Sequence, residues 1–321
     1  MNIIICSAGK RVSLVRAFQK ELRDIVPTGL VFTTDLSPDL SPACRISDGY
    51  FSICKVTSSD YVNQIIKICI DNNIKMVVPT IDTELQILAD QSDRFKEHNI
   101  HLILSESKFI SKCRDKRLIN IFFQDHDICI PRKIDKRNLT FPVFIKPYDG
   151  SLSKDIFLIN KESEITDYHL NNDKLMFMEY IDPINNHEYT IDMYYGGDNF
   201  VKCIVPRKRI EVRAGEISKG VTIKNEIISF LKERLDYIEG AVGCITLQLF
   251  FNVHTKNILG IEINPRFGGG FPLSYLAGGN FPRWLINEYF FGKTCSYQEN
   301  WEENLLMLRY DDEVIVHGFE N

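Results

Sequence analysis

Residues 1 to about 105 alternate short apolar runs with amphipathic stripes, and few folds accommodate that order. Ile3-Ile4-Ile5-Cys6 predicts a buried strand, and Val12 to Leu22 a helix with Leu14, Val15, Phe18 and Leu22 on one face. Leu30 to Thr34, ending at Asp35, predicts the next strand; Tyr61 to Cys69 a helix; Met76 to Pro79 a strand; Glu84 to Phe95 a helix; His101 to Leu104 a last strand. Strands separated by helices pair in parallel, so the reading is a doubly wound α/β sheet. Such sheets bind ligands at the carboxyl ends of their strands. Ser7-Ala8-Gly9-Lys10-Arg11, Asp35 and Thr80 to Glu84 are expected at that edge. No G-x-G-x-x-G follows the first strand, which argues against a dinucleotide oxidoreductase.

Lys108 to Gln124 reads as helical linker, and then the texture changes. Strand signals prevail at Phe141–Lys146, Ile156–Ile159, Leu175–Tyr180, Glu188–Tyr195, Phe200–Ile210, Gly243–Asn252 and Ile258–Asn264, with helices at Glu226–Leu235 and Pro282–Phe290. This is an α+β pattern with antiparallel sheets. The expected division is an N-terminal domain over 1–107, a second domain over 108–300 and a C-terminal strand or extension over 301–321.

The chemistry concentrates in the second half. In Ile261-Glu262-Ile263-Asn264 the apolar side chains share one strand face and the polar ones the other. Glu262 and Asn264 can therefore reach one hard cation, and Mg²⁺ prefers oxygen ligands shared with substrate phosphates. Arg266 follows on the same face and suits a phosphate oxygen. Gln248, on the preceding strand, is a buried amide in need of a partner. Lys146 ends a strand and is either a solvated end or a phosphate ligand. The small-residue loop after it, with Gly150, Ser151 and Ser153, can turn donors toward phosphates, although it has a single glycine. Glu179, Tyr180 and Ile181 close a strand whose backbone suits adenine. Glu188 and Asp192 share a polar face, either solvated or reading ribose hydroxyls. Arg207 to Arg213 is a basic run, either an edge strand or an anion site.

Composition sets bounds on partners. The 321 residues are 44% apolar and 25% charged, with a net charge of −5. An acidic chain of this kind argues against nucleic acid as the main ligand. Nine cysteines without metal or disulfide spacing suggest reduced thiols and a cytoplasmic location. No run has the length of a membrane span or the layout of a signal peptide.

Taken in order, Asp115-Lys116, Lys146, the small-residue loop, Met178-Glu179-Tyr180-Ile181, Glu188, Gln248 and Glu262-Ile263-Asn264-Pro265-Arg266 resemble the ATP-grasp superfamily. The resemblance is nearest to the ATP-binding unit of carbamoyl-phosphate synthase large subunits and its stand-alone relatives. It implies that Lys116, Lys146 and the loop hold ATP phosphates, that Glu179 and Ile181 read adenine through backbone groups, and that Glu188 reads ribose. It implies that Gln248, Glu262 and Asn264 hold Mg²⁺ (or Mn²⁺), and that Arg266 and Lys146 act on the transferring phosphoryl group. The implied activity is an ATP-dependent ligase joining a carboxylate to an amine, with a small-molecule kinase or a non-catalytic ATP-binding regulator as alternatives. Asp82 and Glu84 are expected to meet a substrate amino group, and Arg207 and Arg213 an anionic substrate. A homodimer is the expected assembly by analogy.

Overall fold

The computed structural model describes residues 1–150, 155–213 and 215–319. Its first sheet holds strands β1 (Asn2–Ile5), β2 (Val31–Asp35), β3 (Gly49–Ser52), β4 (Ile74–Val78) and β5 (His101–Leu102) in the order β3-β2-β1-β4-β5, with parallel pairing throughout. Ile3, Ile4 and Ile5 are all fully buried, as expected of a central strand covered on both faces. The covering helices are α1 (Val12–Ile25), α2 (Pro42–Arg45), α3 (Tyr61–Asp71), α4 (Asp82–Ala89) and α5 (Ser92–Glu97). The single helix expected over Glu84–Phe95 is thus two. The break falls after Asp90, where Gln91 leaves the helical region at φ −115° and ψ 15° before α5 begins at Ser92.

Two further helices, α6 (Ser107–Arg114) and α7 (Lys116–Asp125), replace the continuous helical linker. Asp115 separates them in an extended conformation and caps α7, its carboxylate accepting from the Arg117 N–H at 2.8 Å. That cap fixes where Lys116 starts.

Strands β6 (Val143–Pro147), β7 (Phe157–Ile159) and β8 (Leu175–Glu179) form a small antiparallel sheet in the order β7-β6-β8, with the short helix α8 (Asp167–Asn171) beside it. The largest sheet is built from β9 (Asn186–Tyr195), β10 (Val201–Arg213), β11 (Glu216–Thr222), β12 (Gly243–Asn252), β13 (Ile258–Asn264) and β14 (Leu306–Leu308), in the order β13-β12-β9-β10-β11-β14. Helices α9 (Glu226–Arg234), α10 (Phe271–Ala277) and α11 (Phe281–Phe291) complete this part. One face of the sheet is apolar and buried: Ile191, Met193, Ile245, Leu247 and Ile263 are each at most 1% exposed. The opposite face is polar and faces the small sheet and the N-terminal strand ends.

The parts are joined by buried polar contacts as well as apolar packing. Glu21 of α1, almost fully buried, accepts from Tyr275 Oη at 2.6 Å and Arg283 Nη1 at 2.9 Å. Phe123 of α7 lies flat against Gly260 of β13, where an added Cβ would come within 2.7 Å of the ring. This close approach holds α7, and with it Lys116, against the strand that carries Glu262. Gly260→Ala is therefore expected to cost about 1–3 kcal/mol, as overpacking does, read as a lower urea midpoint with unchanged slope. Adding Phe123→Leu is expected to recover part of that loss.

Candidate functional site

A cavity of about 830 Å³ opens between the polar face of the large sheet, the small sheet and the edge of the N-terminal sheet. Strand register explains why its polar lining is concentrated. Arg207, Thr190, Gln248 and Glu262 stand in one cross-strand row over β10, β9, β12 and β13. Asp192, Thr246 and Asn264 form the next row. Residues paired across strands point the same way, so side chains far apart in sequence share one wall.

At the centre of that wall Asn264 Nδ2 donates to Glu262 Oε1 at 3.0 Å, while Glu262 Oε2 lies 3.9 Å from Lys116 Nζ. Lys116 Nζ also donates to the Gly150 carbonyl at 2.6 Å. Among the described residues no group of three or more His, Cys, Asp or Glu side chains gathers as a metal cage. One carboxylate flanked by the amides of Gln248 and Asn264 instead fits Mg²⁺, which takes one or two carboxylates and completes its shell with water and substrate phosphates.

Lys146 reaches the same end of the cavity from β6. Burial pulls its ammonium down to about 8, with nearby Lys116 pulling the same way and Glu262 and Glu188 opposing. Glu188 is pushed up, chiefly by burial and also by Glu262, against the pull of Arg209, whose Nε stands 3.3 Å from Glu188 Oε1. Burial and like charges thus raise the energy of this cluster, and a bound polyanion with its cation would relieve it.

At the end of β8 the Glu179 N–H already donates to the Arg132 carbonyl at 2.8 Å. The Glu179 carbonyl and the Ile181 N–H are the groups left for a base; Tyr180 and Ile181, both lining the cavity, lie just beyond the last ladder pair, Val143 with Glu179. Gly150 lines the cavity, whereas Ser151 and Ser153 lie outside the described residues.

Several expected roles need correction. Glu84 is fully buried and faces no substrate: it accepts from Ser7 Oγ at 2.7 Å, Tyr61 Oη at 2.6 Å, and the Thr80 and Ile81 N–H groups at 2.6 and 3.1 Å. It ties β1, α3 and the start of α4 together. Asp82 does line the cavity, but both its oxygens are taken by Arg266, from Nε and Nη2 at 2.7 Å each. Burial alone would raise the Asp82 carboxyl; the Arg266 hydrogen bonds overturn that and hold it below the usual carboxylate range. Arg266 in turn keeps only Nη1 toward its own strand, donating to the Phe267 carbonyl at 3.2 Å. Arg213 points away from the cavity and pairs with Glu211 at 2.9 Å, because irregular register after Arg209 resets the strand alternation. Arg207 lines the cavity but is fully buried and bound to Asp192, with Nε 2.9 Å from Oδ2 and Nη2 donating to Oδ1 at 3.0 Å. Asp192 itself accepts from Thr246 Oγ1 and Ser274 Oγ at 3.1 and 2.6 Å, so it is structural rather than a ribose reader.

The wall also contains residues that sequence reasoning passed over. Gly268-Gly269-Gly270 follows Phe267 and brings backbone against the floor. An added Cβ at Gly269 would fall 2.5 Å from the Glu216 carboxylate, and one at Gly270 would collide with Arg207 Nη1. The glycine run was visible in the sequence, but its neighbours were not. Thr190 also lines the cavity, and so do Arg209 of the basic run and Arg11 of the expected strand edge, brought in by register and domain packing.

Comparison with known proteins agrees with this architecture. Residues 3–103 match the family model described as PylC-like, N-terminal domain, and residues 171–310 the one described as ATP-grasp in the biosynthetic pathway with Ter operon. The fold is that of biotin carboxylase from Campylobacter jejuni in its β-γ-ATP complex, with a TM-score of 0.72 at 13% identity over 95% of this chain and 74% of that one. N5-carboxyaminoimidazole synthetase from Staphylococcus aureus, complexed with ADP, gives 0.69 at 14% identity over 92% and 79%. L-amino acid ligase from Bacillus licheniformis gives 0.66 at 14% identity over 90% and 74%. No curated protein matches the chain in sequence at a significant level. The ATP-grasp model thus matches the C-terminal part, over residues 171–310, and the fold of the chain, a parallel α/β domain followed by antiparallel sheets, is that of these ATP-grasp structures. The relation to carbamoyl-phosphate synthases in particular is a loose one.

The position of Lys146 gives a pH test. A lysine near 8 is cationic below that pH and neutral above it. If it binds phosphate, affinity for the ATP analogue AMP-PCP with Mg²⁺ is flat up to about pH 8 and weakens above it. Calorimetric titration of wild type and Lys146→Met across pH 7 to 9.5 checks this; the variant is expected to bind more weakly and to lose the slope.

Proposed function

We propose that this protein is an ATP- and Mg²⁺-dependent ligase that activates a carboxylate as an acyl phosphate for attack by an amine or similar nucleophile. The observation that carries the reading is the Gln248–Glu262–Asn264 wall with Lys116 and Lys146 gathered at the same end of a cavity large enough for a nucleotide and a small acid. ATP-grasp relatives named for such chemistry, including the synthetase and the L-amino acid ligase above, support the class.

The reaction follows from charge. A substrate carboxylate oxygen attacks the γ-phosphorus as the bond to the β–γ bridging oxygen breaks, giving ADP and an acyl phosphate. The nucleophile then adds at the acyl carbon, and inorganic phosphate leaves with the carbon–oxygen bonding pair. Two anions must meet in the first step, and positioned cations are what lower its barrier. Lys116 and Lys146 supply charge at the phosphates; Gln248, Glu262 and Asn264 would hold Mg²⁺, which neutralises charge on the phosphate oxygens when bound. Arg266, fixed by Asp82, holds a cation at the boundary between the metal wall and the N-terminal edge. The Glu179 carbonyl and the Ile181 N–H serve adenine, and Glu188 the ribose hydroxyls.

The division into residues 1–107, 108–300 and 301–321 belongs to the same reading, and so do its setting and assembly. No helix among the described residues is long and apolar enough to cross a membrane. With nine free thiols, we place the protein in the cytoplasm. We also propose a homodimer; the related carboxylase domain from Hydrogenobacter thermophilus is described as a dimer.

Glu262→Gln tests the metal wall. Loss of one charge-stabilising group costs on the order of 3 kcal/mol of barrier, or roughly a hundredfold in rate. Acid-stimulated ADP release, screened with pools of amino acids and sugar acids, is expected to drop by about that factor. Unchanged release would remove Glu262 from the chemistry, and a phosphate ester as product would make the enzyme a kinase.

A further inference from the structure

The charged groups lining the cavity fall into two neighbourhoods. Lys116, Lys146, Glu188 and Glu262 act on one another at the metal wall. Arg11, Arg266, Asp82 and Glu216 act on one another at the N-terminal edge. Each has two cations and two carboxylates, but in the second the carboxylates pair away from Arg11, Asp82 with Arg266 and Glu216 with Arg309.

Arg11 and Arg266 donate to the same acceptor, the Phe267 carbonyl, at 3.0 and 3.2 Å. Two guanidinium groups are therefore held side by side. Arg266 is neutralised by the bidentate Asp82. Arg11 has only carbonyls, Phe267 on one side and Thr80 on the other, the latter from Nη2 at 2.8 Å. No carboxylate pairs with Arg11 among the described residues. The carboxylates nearby are committed: Glu84 to four donors of its own domain, and Glu216 to Arg309 at 3.0 Å. Burial, followed by the like charge of Arg266, pulls the Arg11 guanidinium down to about 10, against the opposing charges of Glu216, Asp82 and Glu84, none of which pairs with it among the described residues.

Behind the Gly268–Gly270 turn stands a third guanidinium. Arg207 Nη1 is buried and has no hydrogen-bond partner among the described residues, although most buried donors find one. Its counter-ion Asp192 occupies the opposite edge of the group. The glycines keep side chains out of the space between Arg207 and the cavity.

We infer that Arg11, beside Arg266 and backed by Arg207, forms an anion subsite at the N-terminal edge of the cavity, binding a second anionic group of the acceptor substrate apart from the carboxylate that is phosphorylated. This rests on the ligase reading of the cavity and narrows it: the acid is a di-anion, with a carboxylate or a phosphate at its far end. Among the described residues Arg11 donates only from Nη1 and Nη2, once each, which leaves an N–H on Nε, Nη1 and Nη2 for a forked contact with either.

The test uses the full chain saturated with Mg²⁺ and AMP-PCP, so that the positions of all three nucleotide phosphates are filled. Malonate, phosphonoacetate and uncharged malonamide are then titrated by calorimetry. Either anion is expected to bind saturably and malonamide not at all; the better of the two distinguishes a carboxylate from a phosphate as the natural group. Arg11→Gln is expected to weaken the anion by roughly tenfold or more, as loss of a forked charge contact does, while AMP-PCP binding holds. If R11Q also loses AMP-PCP binding, Arg11→Lys replaces it under the same threshold, since lysine keeps the charge but not the fork. Equal anion affinity in the variant and wild type, or no anion binding by wild type, overturns the subsite. Failure of wild type to bind AMP-PCP with Mg²⁺ counts instead against the ligase reading.

Discussion

A single buried carboxylate organises the large sheet. Asp192 is fully buried in β9 and takes bonds from Arg207 of β10, Thr246 of β12 and Ser274 of α10. A charge so far from water is tolerable only when paired and fully hydrogen-bonded; stripping one partner from such a pair typically costs about 3–5 kcal/mol. The contact therefore sets register as much as it adds stability. A one-residue slip of β9 would turn Asp192 into the apolar core and carry Glu188 and Thr190 off the cavity. With register held, the Gln248–Glu262 and Thr246–Asn264 pairs follow across β12 and β13.

The site built on that frame is electrostatically unbalanced in a useful way. Lys146 is desolvated and crowded by Lys116, Glu188 is desolvated and crowded by Glu262, and Arg11 is desolvated beside Arg266 with no carboxylate paired to it among the described residues. Each of these is a cost the folded chain carries without ligand, and a metal–triphosphate together with an anionic acid would remove it. This is preorganisation: the charges stand where reaction charge develops and need no rearrangement when it does. Domain packing contributes directly, since Asp82 and Arg11 come from helix starts of the N-terminal part while Arg266 and Phe267 come from the loop after β13.

Much of this was legible in the residues. Alternation in Ile261-Glu262-Ile263-Asn264 gives the strand and its polar face, and the spacing of apolar runs gives the parallel sheet. Short elements with weak patterns escaped: β3 is a partly exposed edge, β11 mixes small and polar residues, and α10 is a seven-residue helix with a proline in its first turn. Function was harder to read where it depends on three-dimensional pairing. Nothing local distinguishes Glu84, an internal knot, from Asp82, a clamp on Arg266, because both sit in the first turn of α4. Arg207 and Arg213 look alike in a basic run, yet irregular register between them sends one into the cavity and the other to solvent. Arg11 gains meaning only when the Phe267 carbonyl arrives beside it from 256 residues away.

The central claim is that the Gln248–Glu262–Asn264 wall is the metal end of an ATP pocket. The most direct measurement is calorimetric titration of AMP-PCP into the wild-type protein with Mg²⁺ and with EDTA. If the wall works as described, Mg²⁺ tightens binding by roughly tenfold or more, about 1.4 kcal/mol, with one nucleotide per chain. Equal affinity in the two buffers, or no saturable binding in either, would contradict it.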